Sequence, residues 1–191
     1  MEQRLNMGGI VLAGGRSQRM GLDKAQLPWR GRTTLLVHAQ DTLHAAVAGQ
    51  VFVSRPFGAP RIYPNDLPDR WNQRGPGSGV WSGLHYSLHS MVAVLAVDLP
   101  EVPPQLYLWL SRHWVPGVAG VFPTYGPYRQ PLAGLWSAHL AGPLAKMLAS
   151  HPKPPALHKW LERWPVIWVT IPHRQWFFNL NTREDWITWR R

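Results

Sequence analysis

Residues 10–24 read Ile-Val-Leu-Ala-Gly-Gly-Arg-Ser-Gln-Arg-Met-Gly-Leu-Asp-Lys, a short apolar run that breaks into a glycine-rich, cationic segment. The apolar run predicts a buried strand, and the glycines after it let backbone N–H groups approach an anion closely. Two arginines and Lys24 follow within nine residues of Gly15. The pattern therefore predicts a loop that holds a phosphate group at the end of the first strand.

The spacing of this loop excludes the two common phosphate-binding patterns. A P-loop has Gly-Lys followed by Ser or Thr, whereas Lys24 stands between Asp23 and Ala25. The dinucleotide fingerprint Gly-x-Gly-x-x-Gly does not fit the segment either. We therefore interpret it as a phosphate loop of a third kind.

The composition limits the classes of protein to consider. The chain has 191 residues, of which 45% are hydrophobic, and it contains no cysteine. This length suits a single domain spanning 1–191, and the lack of cysteine excludes disulfides, zinc–thiolate sites and cysteine nucleophiles. The polar start of the chain, and the absence of an apolar run of about 18 residues, predict a cytoplasmic protein without a membrane span.

The formal net charge of +10 favours an anionic partner. Nucleotides, phosphate esters and nucleic acid all meet this description. Outside the first loop, a basic surface with no specific role explains the charge about as well. The 12 tryptophans could stack on bases, but packing in the core explains them more simply.

Apolar segments alternate with segments of helical periodicity along the chain. This alternation predicts an α/β fold, a three-layer αβα arrangement around a mostly parallel, doubly wound sheet. The predicted strands are 8–12, 51–53, 61–63, 91–97, 118–122, 131–136 and 166–171. The predicted helices are 34–48, 82–90, 103–114, 138–150, a short helix that ends at 164, and a last helix that begins at 182.

A carboxylate follows the longest of these apolar runs. Ligands of doubly wound sheets bind beyond the carboxyl ends of the strands, and Asp98 comes directly after the run 91–97. Asp98 is therefore a candidate ligand of Mg²⁺, a cation that takes oxygen ligands and nucleotide phosphates. Capping of the next helix is the alternative, less favoured because that helix begins only near Pro103.

Three other stretches are candidates for contacts with a ligand. Asn65-Asp66 follows a predicted strand, where it could read the edge of a base or form a turn. The glycine-rich segment 74–79 could be a lid over a nucleotide, although a surface loop is slightly favoured. Capping of a helix by Thr182 does not explain Asn179 and Asn181, which suggests a polar role toward a ligand.

Together these segments resemble the molybdenum cofactor guanylyltransferases, which lie within a larger group of nucleotidyltransferases with a Rossmann-like fold. The resemblance covers nearly the whole chain and is strongest over 12–24, which is similar to the family's signature loop. It extends to Val97-Asp98-Leu99-Pro100, to Gln-Pro-Leu-Ala-Gly-Leu at 130–135, and to Asn179-Leu180-Asn181-Thr182. The resemblance therefore implies both a reaction and a set of site residues.

Members of this family join the GMP moiety of GTP to molybdopterin and release pyrophosphate in a reaction that uses Mg²⁺. The nucleotide-binding residues predicted on this basis are Leu12, Ala13, Gly14, Gly15, Arg16, Lys24, Ser54, Asp66, Gly79 and Asp98. The predicted catalytic residues are Lys24, Arg19 and Asp98, of which Asp98 is also the magnesium ligand. Asn179 and Asn181 are expected on the pterin side, and molybdoenzymes or other proteins of cofactor biosynthesis are the expected protein partners.

The chain departs from the family pattern at two places, and the sequence leaves several alternative functions open. Gly79-Val80-Trp81 stands where the family usually has Gly-Pro-Leu, and Ser54 stands where asparagine is common. The Leu-Ala-Gly-Gly start of the loop favours a guanylyl enzyme over its cytidylyl relatives. The alternatives are a cytidylyltransferase, a sugar-phosphate type of nucleotidylyltransferase, a non-catalytic GTP-binding protein and, least favoured, a nucleic-acid-binding module.

Overall fold

The computed structural model describes residues 4–14, 24–31, 33–61, 63–180 and 185, and the elements named below lie within these ranges. The strands are β1 (Gly8–Leu12), β2 (Pro28–Trp29), β3 (Thr33–Thr34), β4 (Val51–Arg55), β5 (Asp66–Pro68), β6 (Met91–Ala96), β7 (Gly120–Tyr125), β8 (Tyr128–Arg129), β9 (Leu135–Ser137) and β10 (Val166–Thr170). The helices are α1 (Leu35–Ala46), α2 (Gly77–Tyr86), α3 (Gln105–Ser111), α4 (Ala141–Ser150) and α5 (Leu157–Leu161).

The strands form one large sheet in the order β10-β7-β9-β6-β1-β4-β5, with β8 paired to β7. Strands β6, β1, β4 and β5 pair in parallel, as do β7 and β10, whereas β9 runs antiparallel between β6 and β7. The carboxyl ends of β1, β4, β5, β6, β7 and β10 therefore meet at one edge of the sheet, called the carboxyl edge below.

Helices cover both faces of this sheet. Adjacent residues of a strand point to opposite faces, and a Cβ on Gly9 would contact Leu43 of α1, whereas Ile10 lies against Gly83 of α2. Helix α3 packs beside α1, and α4 packs beside α2. The predicted three-layer αβα architecture with a mostly parallel, doubly wound sheet is thus confirmed.

The buried core follows the apolar runs of the sequence. All five residues of β1 are buried, and so are all residues of β6 except Met91, because helices cover both faces of these central strands. Thr34 caps α1 by accepting a hydrogen bond from the amide of Val37 (3.3 Å), which agrees with the predicted start of that helix. Among the described residues, none of the helices is both long and apolar enough to cross a membrane.

Two predicted strands differ from the structure by more than the exact residues at which they begin and end. The third parallel strand is β5, and neither Arg61 nor Tyr63 lies in a strand, while residue 62 lies outside the described ranges. Residues 131–133 form a 3-10 turn, and the strand there is the shorter β9. Pro131 lacks the N–H that a central strand needs for its ladder, which disfavours a strand that starts at this residue, and pairing begins at Leu135.

Helix α2 begins five residues before the predicted start at Ser82. Residues 77–79 belong to its first turn rather than to a loop. Glycine weakens an isolated helix, but here its lack of a side chain allows close packing. A Cβ on Gly83 would lie 2.5 Å from Ile10 Cγ2, and a Cβ on Gly79 would collide with Ser54 Oγ. The final predicted helix, from Thr182, lies outside the described residues except for Asp185.

Candidate active site

Backbone hydrogen bonds join the end of β1 to the ends of its two neighbouring strands at the carboxyl edge. The amide of Ala13 donates to the carbonyl oxygen of Ser54 (3.1 Å), and the amide of Val97 donates to that of Leu12 (3.2 Å). The ends of β4, β1 and β6 are therefore held at fixed spacing. The predicted residues Leu12, Ala13 and Gly14 lie at the centre of this edge, whereas Gly15, Arg16 and Arg19 lie outside the described residues.

Lys24, Asp98 and the segment before Asn181 meet at this edge. The Lys24 ammonium donates to the carbonyl oxygen of Leu180 (2.7 Å), and the Leu180 amide donates to the backbone oxygen of Asp98 (2.9 Å). Three segments more than 70 residues apart in sequence thus converge. Asn179 precedes Leu180 and is exposed, whereas Asn181 lies outside the described residues.

Two opposing effects act on the pKa of the Asp98 carboxyl group. Burial raises its pKa, and the nearby Lys24 ammonium offsets part of that rise. A buried carboxylate whose charge is poorly solvated gains strongly from a bound cation or a hydrogen-bonding ligand. Lys24 supplies a positive charge beside it that suits an anionic substrate.

Asp98 alone offers one carboxylate to a divalent cation, so a cation held there would need further oxygen ligands from a substrate or water. The described residues contain no group of three or more histidine, aspartate or glutamate side chains that could hold a metal ion alone. Mg²⁺ is commonly held by one or two carboxylates together with substrate phosphates and water. Asp98 matches this mode of binding, in which the phosphate supplies the remaining oxygens.

A second carboxylate, Asp69, lies at the same edge and was missed by the sequence prediction. Its Oδ1 accepts a hydrogen bond from Ser54 Oγ (2.7 Å), and a Cβ on Gly14 would lie 3.3 Å from its Oδ2. Burial raises the pKa of Asp69 to about 6, and the hydrogen bond from the Ser54 hydroxyl offsets part of that rise. A carboxylate directly after β5 is the signal that could have revealed it, had that strand been predicted at the right place.

Asp66 occupies a different environment from the one predicted. It is completely buried, its Oδ2 lies 3.7 Å from Arg55 Nε, and it accepts a hydrogen bond from the Tyr63 amide (3.2 Å). These contacts hold the loop before β5 against β4. This position does not favour the predicted contact with a nucleotide, whereas Asp69 faces the strand ends.

The first turn of α2 lies directly on the ends of β1 and β4. Gly79 packs against Ser54, and a Cβ on Gly79 would also lie 2.9 Å from Leu12 Cδ2. The cap residue Pro76 forms no side-chain hydrogen bond to the N–H groups of the first turn. Helix N-termini carry partial positive charge and unused donors. The α2 N-terminus therefore adds electrostatic attraction for an anion at the ends of β1 and β4.

The loop that carries Asp69 is fastened to α2 by aromatic side chains. Trp71 packs edge-on against Trp81 (ring centroids 4.8 Å apart), and the Arg70 guanidinium lies over both rings. The Trp71 amide also donates to Ser78 Oγ (3.3 Å). Trp81, which departs from the family's Gly-Pro-Leu pattern, is thus a packing residue that fixes this loop.

A cavity of about 410 Å³ opens beside the N-terminus of α2. It lies between the segment before α2 and the turn that follows β8, and that turn packs on β6. Its lining comprises residues 73–77, 129–132, Met147, Leu148 and 154–158. The cavity includes Gln130 and Pro131 of the sequence segment that resembles the family, and its volume suits a small organic ligand.

His38 links the two segments that carry Lys24 and Asp98. Its Nε2 is hydrogen-bonded to the carbonyl oxygen of Pro100 (2.8 Å), and its ring stacks on Trp29 (centroids 4.7 Å apart). Pro100 follows Asp98 by two residues, and Trp29 follows Lys24 by five. His38 therefore holds both segments from one position on α1.

Replacement of His38 by alanine is expected to lower the free energy of unfolding by about 1–2 kcal/mol, because a hydrogen bond and a ring stack are both lost. Glutamine, which can still donate to the Pro100 carbonyl, should lose less. Denaturant titration of the two variants, with exposed His44→Ala on the same helix as a control, measures the difference. Equal stability of His38→Ala and wild type would contradict the linkage.

Comparison with known proteins identifies the family and agrees with the fold. The family model of the MobA-like NTP transferase domain matches residues 9–167. A probable molybdenum cofactor guanylyltransferase of Chloroflexus aggregans is 30% identical over 97% of this chain and 94% of its own length. A molybdenum cofactor guanylyltransferase of Rhizobium johnstonii is 32% identical over 94% of this chain and 90% of its own length.

Solved structures show the same fold at lower sequence identity. Molybdopterin-guanine dinucleotide biosynthesis protein A of Archaeoglobus fulgidus aligns with a TM-score of 0.74 and 20% identity, covering 95% of this chain and 96% of its own. A 2-C-methyl-D-erythritol 4-phosphate cytidylyltransferase of Thermus thermophilus aligns with a TM-score of 0.68 and 16% identity, covering 96% and 97%. From the family match and the identity to its relatives, this chain belongs to the MobA-like NTP transferase family and is a nucleotidyltransferase.

Proposed function

We propose that the enzyme transfers GMP from GTP to the terminal phosphate of molybdopterin, with Mg²⁺, and releases pyrophosphate. The observation that carries the proposal is the meeting of Lys24, Asp98 and the 179–180 segment at the carboxyl edge. The names of the relatives, molybdenum cofactor guanylyltransferases matched over nearly their full length, support the choice of substrates.

The proposed reaction needs no covalent intermediate on the enzyme. An oxygen of the pterin phosphate attacks the α-phosphorus of GTP in line, a new P–O bond forms, and the bond to the β-phosphate oxygen breaks. The attacking phosphate is already anionic near neutral pH, so no general base is required. The protein must instead position two anions that repel each other and neutralise the charge that develops.

Lys24, Asp98 and the N-terminus of α2 would share this electrostatic work. The Lys24 ammonium would neutralise phosphate oxygens, and Asp98 would hold Mg²⁺. When bound, Mg²⁺ neutralises phosphate charge and polarises the α-phosphate. Arg16 and Arg19 would stabilise the departing pyrophosphate, a role that remains a prediction because both lie outside the described residues.

The nucleoside part of GTP is assigned to the β4–β5 side of the edge. Ser54, Asp69 and Gly79 are grouped there, and Asp69 as a carboxylate would accept hydrogen bonds from the base or the ribose. Gly79 lets the first turn of α2 pack directly on Ser54 and Leu12, because a side chain there has no room. The pterin is assigned to the opposite side, with Asn179.

A thermal-shift panel of GTP, CTP, ATP and UTP, each with and without Mg²⁺, tests the choice of nucleotide. Among these conditions, we expect Tm to rise only when GTP and Mg²⁺ are present together. At a GTP concentration of about 100 times Kd, binding adds about 2.7 kcal/mol of stability, or about 5–10 °C in Tm for a chain of this size. A larger shift with CTP would favour the cytidylyl alternative, and no shift with any nucleotide would overturn the proposal.

Pyrophosphate release separates the remaining alternatives. With GTP and molybdopterin we expect stoichiometric pyrophosphate and a guanine dinucleotide product. Binding of GTP without pyrophosphate release would indicate a non-catalytic GTP-binding protein, and release with a sugar phosphate instead would indicate the sugar-phosphate class. Binding of nucleic acid that falls steeply with salt and ignores free nucleotides would indicate the nucleic-acid-binding module.

A further inference from the structure

A second cavity, of about 400 Å³, opens at the edge of the sheet opposite the candidate active site. Its lining includes Ser90, Ala119 and Pro165, which directly precede β6, β7 and β10, and Ser137, the last residue of the antiparallel β9. The other lining residues are Trp114, Gly117, Val118, His139, Leu140 and Trp164. This edge, where the parallel strands begin, is called the amino edge below. The length of the strands separates it from the candidate active site, so both can be occupied at the same time.

Exposed apolar side chains continue the wall of this cavity. Leu88, two residues before the lining Ser90, is completely exposed (100%), and Val115, which follows the lining Trp114, is 49% exposed. Single apolar residues on a surface need no explanation, but these two belong to the turns that form the cavity. The cavity together with Leu88 and Val115 is called the amino-edge surface below. A small ligand would fill the cavity alone, whereas this larger apolar area suits a macromolecule.

Two exposed arginines stand beside the amino-edge surface. Arg112 and Arg163 each lie within two residues of a lining tryptophan, and neither forms an ion pair with another described residue. Among the described residues, the lining contains no acidic side chain, and Glu162, just before Arg163, is already paired with Arg129. The charge of this surface is therefore complementary to a partner that carries carboxylates.

We propose that the amino-edge surface binds a protein partner through an apolar side chain that enters the cavity and is flanked by carboxylates. Arg112 and Arg163 pair with those carboxylates, while Leu88 and Val115 cover the apolar area around the inserted side chain. A buried apolar anchor inside a polar rim is the usual arrangement at the centre of a protein interface. Nucleic acid fits this surface less well, because its phosphates would lie against aliphatic side chains. The proposal does not depend on the substrates assigned to the carboxyl edge.

The probe is a fluorescein-labelled peptide in which three glutamates stand on either side of a Leu-Phe pair. Fluorescence anisotropy should show saturable binding to wild type. Replacing the Leu-Phe pair of the peptide by Ser-Ser should weaken binding about tenfold or more, because the anchor is lost. Replacing the glutamates by lysines should abolish binding, and raising the ionic strength should weaken it, because exposed charges are screened by salt.

Variants of the surface locate the bound peptide. Ser90→Trp places a bulky ring at the exposed mouth of the cavity and keeps the backbone hydrogen bond from the Ala138 amide (2.9 Å), so binding should weaken about tenfold or more while the fold is retained. Arg112→Glu and Arg163→Glu should each weaken binding about 5- to 10-fold, because attraction becomes repulsion. Lys153→Glu, an exposed lysine on the segment after α4, is the control for loss of charge and should bind as wild type does. Thermal unfolding checks that every variant is folded.

The indole N–H resonances of Trp114 and Trp164 report on the cavity directly. Assigned through Trp114→Phe and Trp164→Phe, they should shift as the peptide is added, whereas that of Trp29, which stacks on His38, should not. Wild type that fails to bind the acidic peptide, or Ser90→Trp that binds it equally well, would overturn the proposal.

Two further outcomes would assign the amino-edge surface to another occupant and overturn the proposal. One is tighter binding of a single-stranded oligonucleotide that is lost in Ser90→Trp, which would indicate nucleic acid. The other is concentration-dependent dimerisation of wild type that Ser90→Trp abolishes, which would indicate a second copy of this chain. Sedimentation velocity of wild type and variant distinguishes that case from binding of an acidic partner.

Discussion

Replacing Asp98 by asparagine is expected to lower turnover by about 10²–10³-fold while the protein stays folded, which is the usual loss when one preorganised electrostatic contact is removed. Asparagine keeps the shape but loses the charge that would hold Mg²⁺. Because burial raises the pKa of Asp98, its ionised form opposes folding at neutral pH, and the variant should be at least as stable as wild type. Pyrophosphate release and thermal unfolding measure the two effects separately.

Lys24→Met should give a comparable loss, and the two changes should not be additive. The Lys24 ammonium and the Asp98 carboxylate interact directly. Once one of the two charges has been removed, removing the other should therefore lower turnover by less than it does in wild type. Lys146→Met, on the exposed side of α4, provides the control for loss of a positive charge. Full turnover of either site variant with unchanged dependence on GTP would show that this pair is not the catalytic centre.

The position of Asp98 at the candidate site could be anticipated because it depends on a strand end. The continuous apolar run before Asp98 predicted a central strand, and the parallel arrangement brings its end beside that of β1. The docking of Leu180 between Lys24 and Asp98 depends on three-dimensional contacts that no local pattern records. The carboxyl edge and the two charged residues are thus predictable from the sequence, whereas their geometry is visible only in the structure.

The prediction was wrong where tertiary packing overrides local preference. Three glycines and a proline at 75–79 read as a loop, yet the first turn of α2 needs small residues to lie on β1 and β4. The sequence leaves two roles open for Asn65-Asp66 after the strand predicted at 61–63, contact with the edge of a base or a turn, and Asn65 lies in a turn. With the strand at 66–68, Asp66 turns into the interior toward Arg55, and Asp69 takes the position at the carboxyl edge.

Asp69→Asn is expected to stabilise the protein at neutral pH and to weaken its binding of GTP. Burial raises the pKa of Asp69 from an ordinary value of 3.8 to about 6, so the folded state binds the proton more tightly than the unfolded state. Stability from this group is therefore present below about pH 4 and is lost as the pH rises through about 6. The rise of the pKa from 3.8 to about 6 corresponds to roughly 3 kcal/mol in the free energy of unfolding. Because Asp69 is partly exposed to solvent, we expect the variant to gain only about 1–2 kcal/mol at pH 7.5.

The same substitution separates stability from function at this position. Asparagine can still accept the Ser54 hydrogen bond, so the fold loses no contact, but an ionised acceptor for the nucleoside is gone. Loss of a hydrogen bond to a charged group should raise the KM for GTP by roughly 10- to 100-fold at pH 7.5. Wild-type affinity for GTP should also fall as the pH drops below about 6, because Asp69 then takes up its proton. Asp41→Asn, an exposed aspartate on α1, should show neither effect, and a stability difference at Asp69 that does not change between pH 4 and 7.5 would contradict the raised pKa.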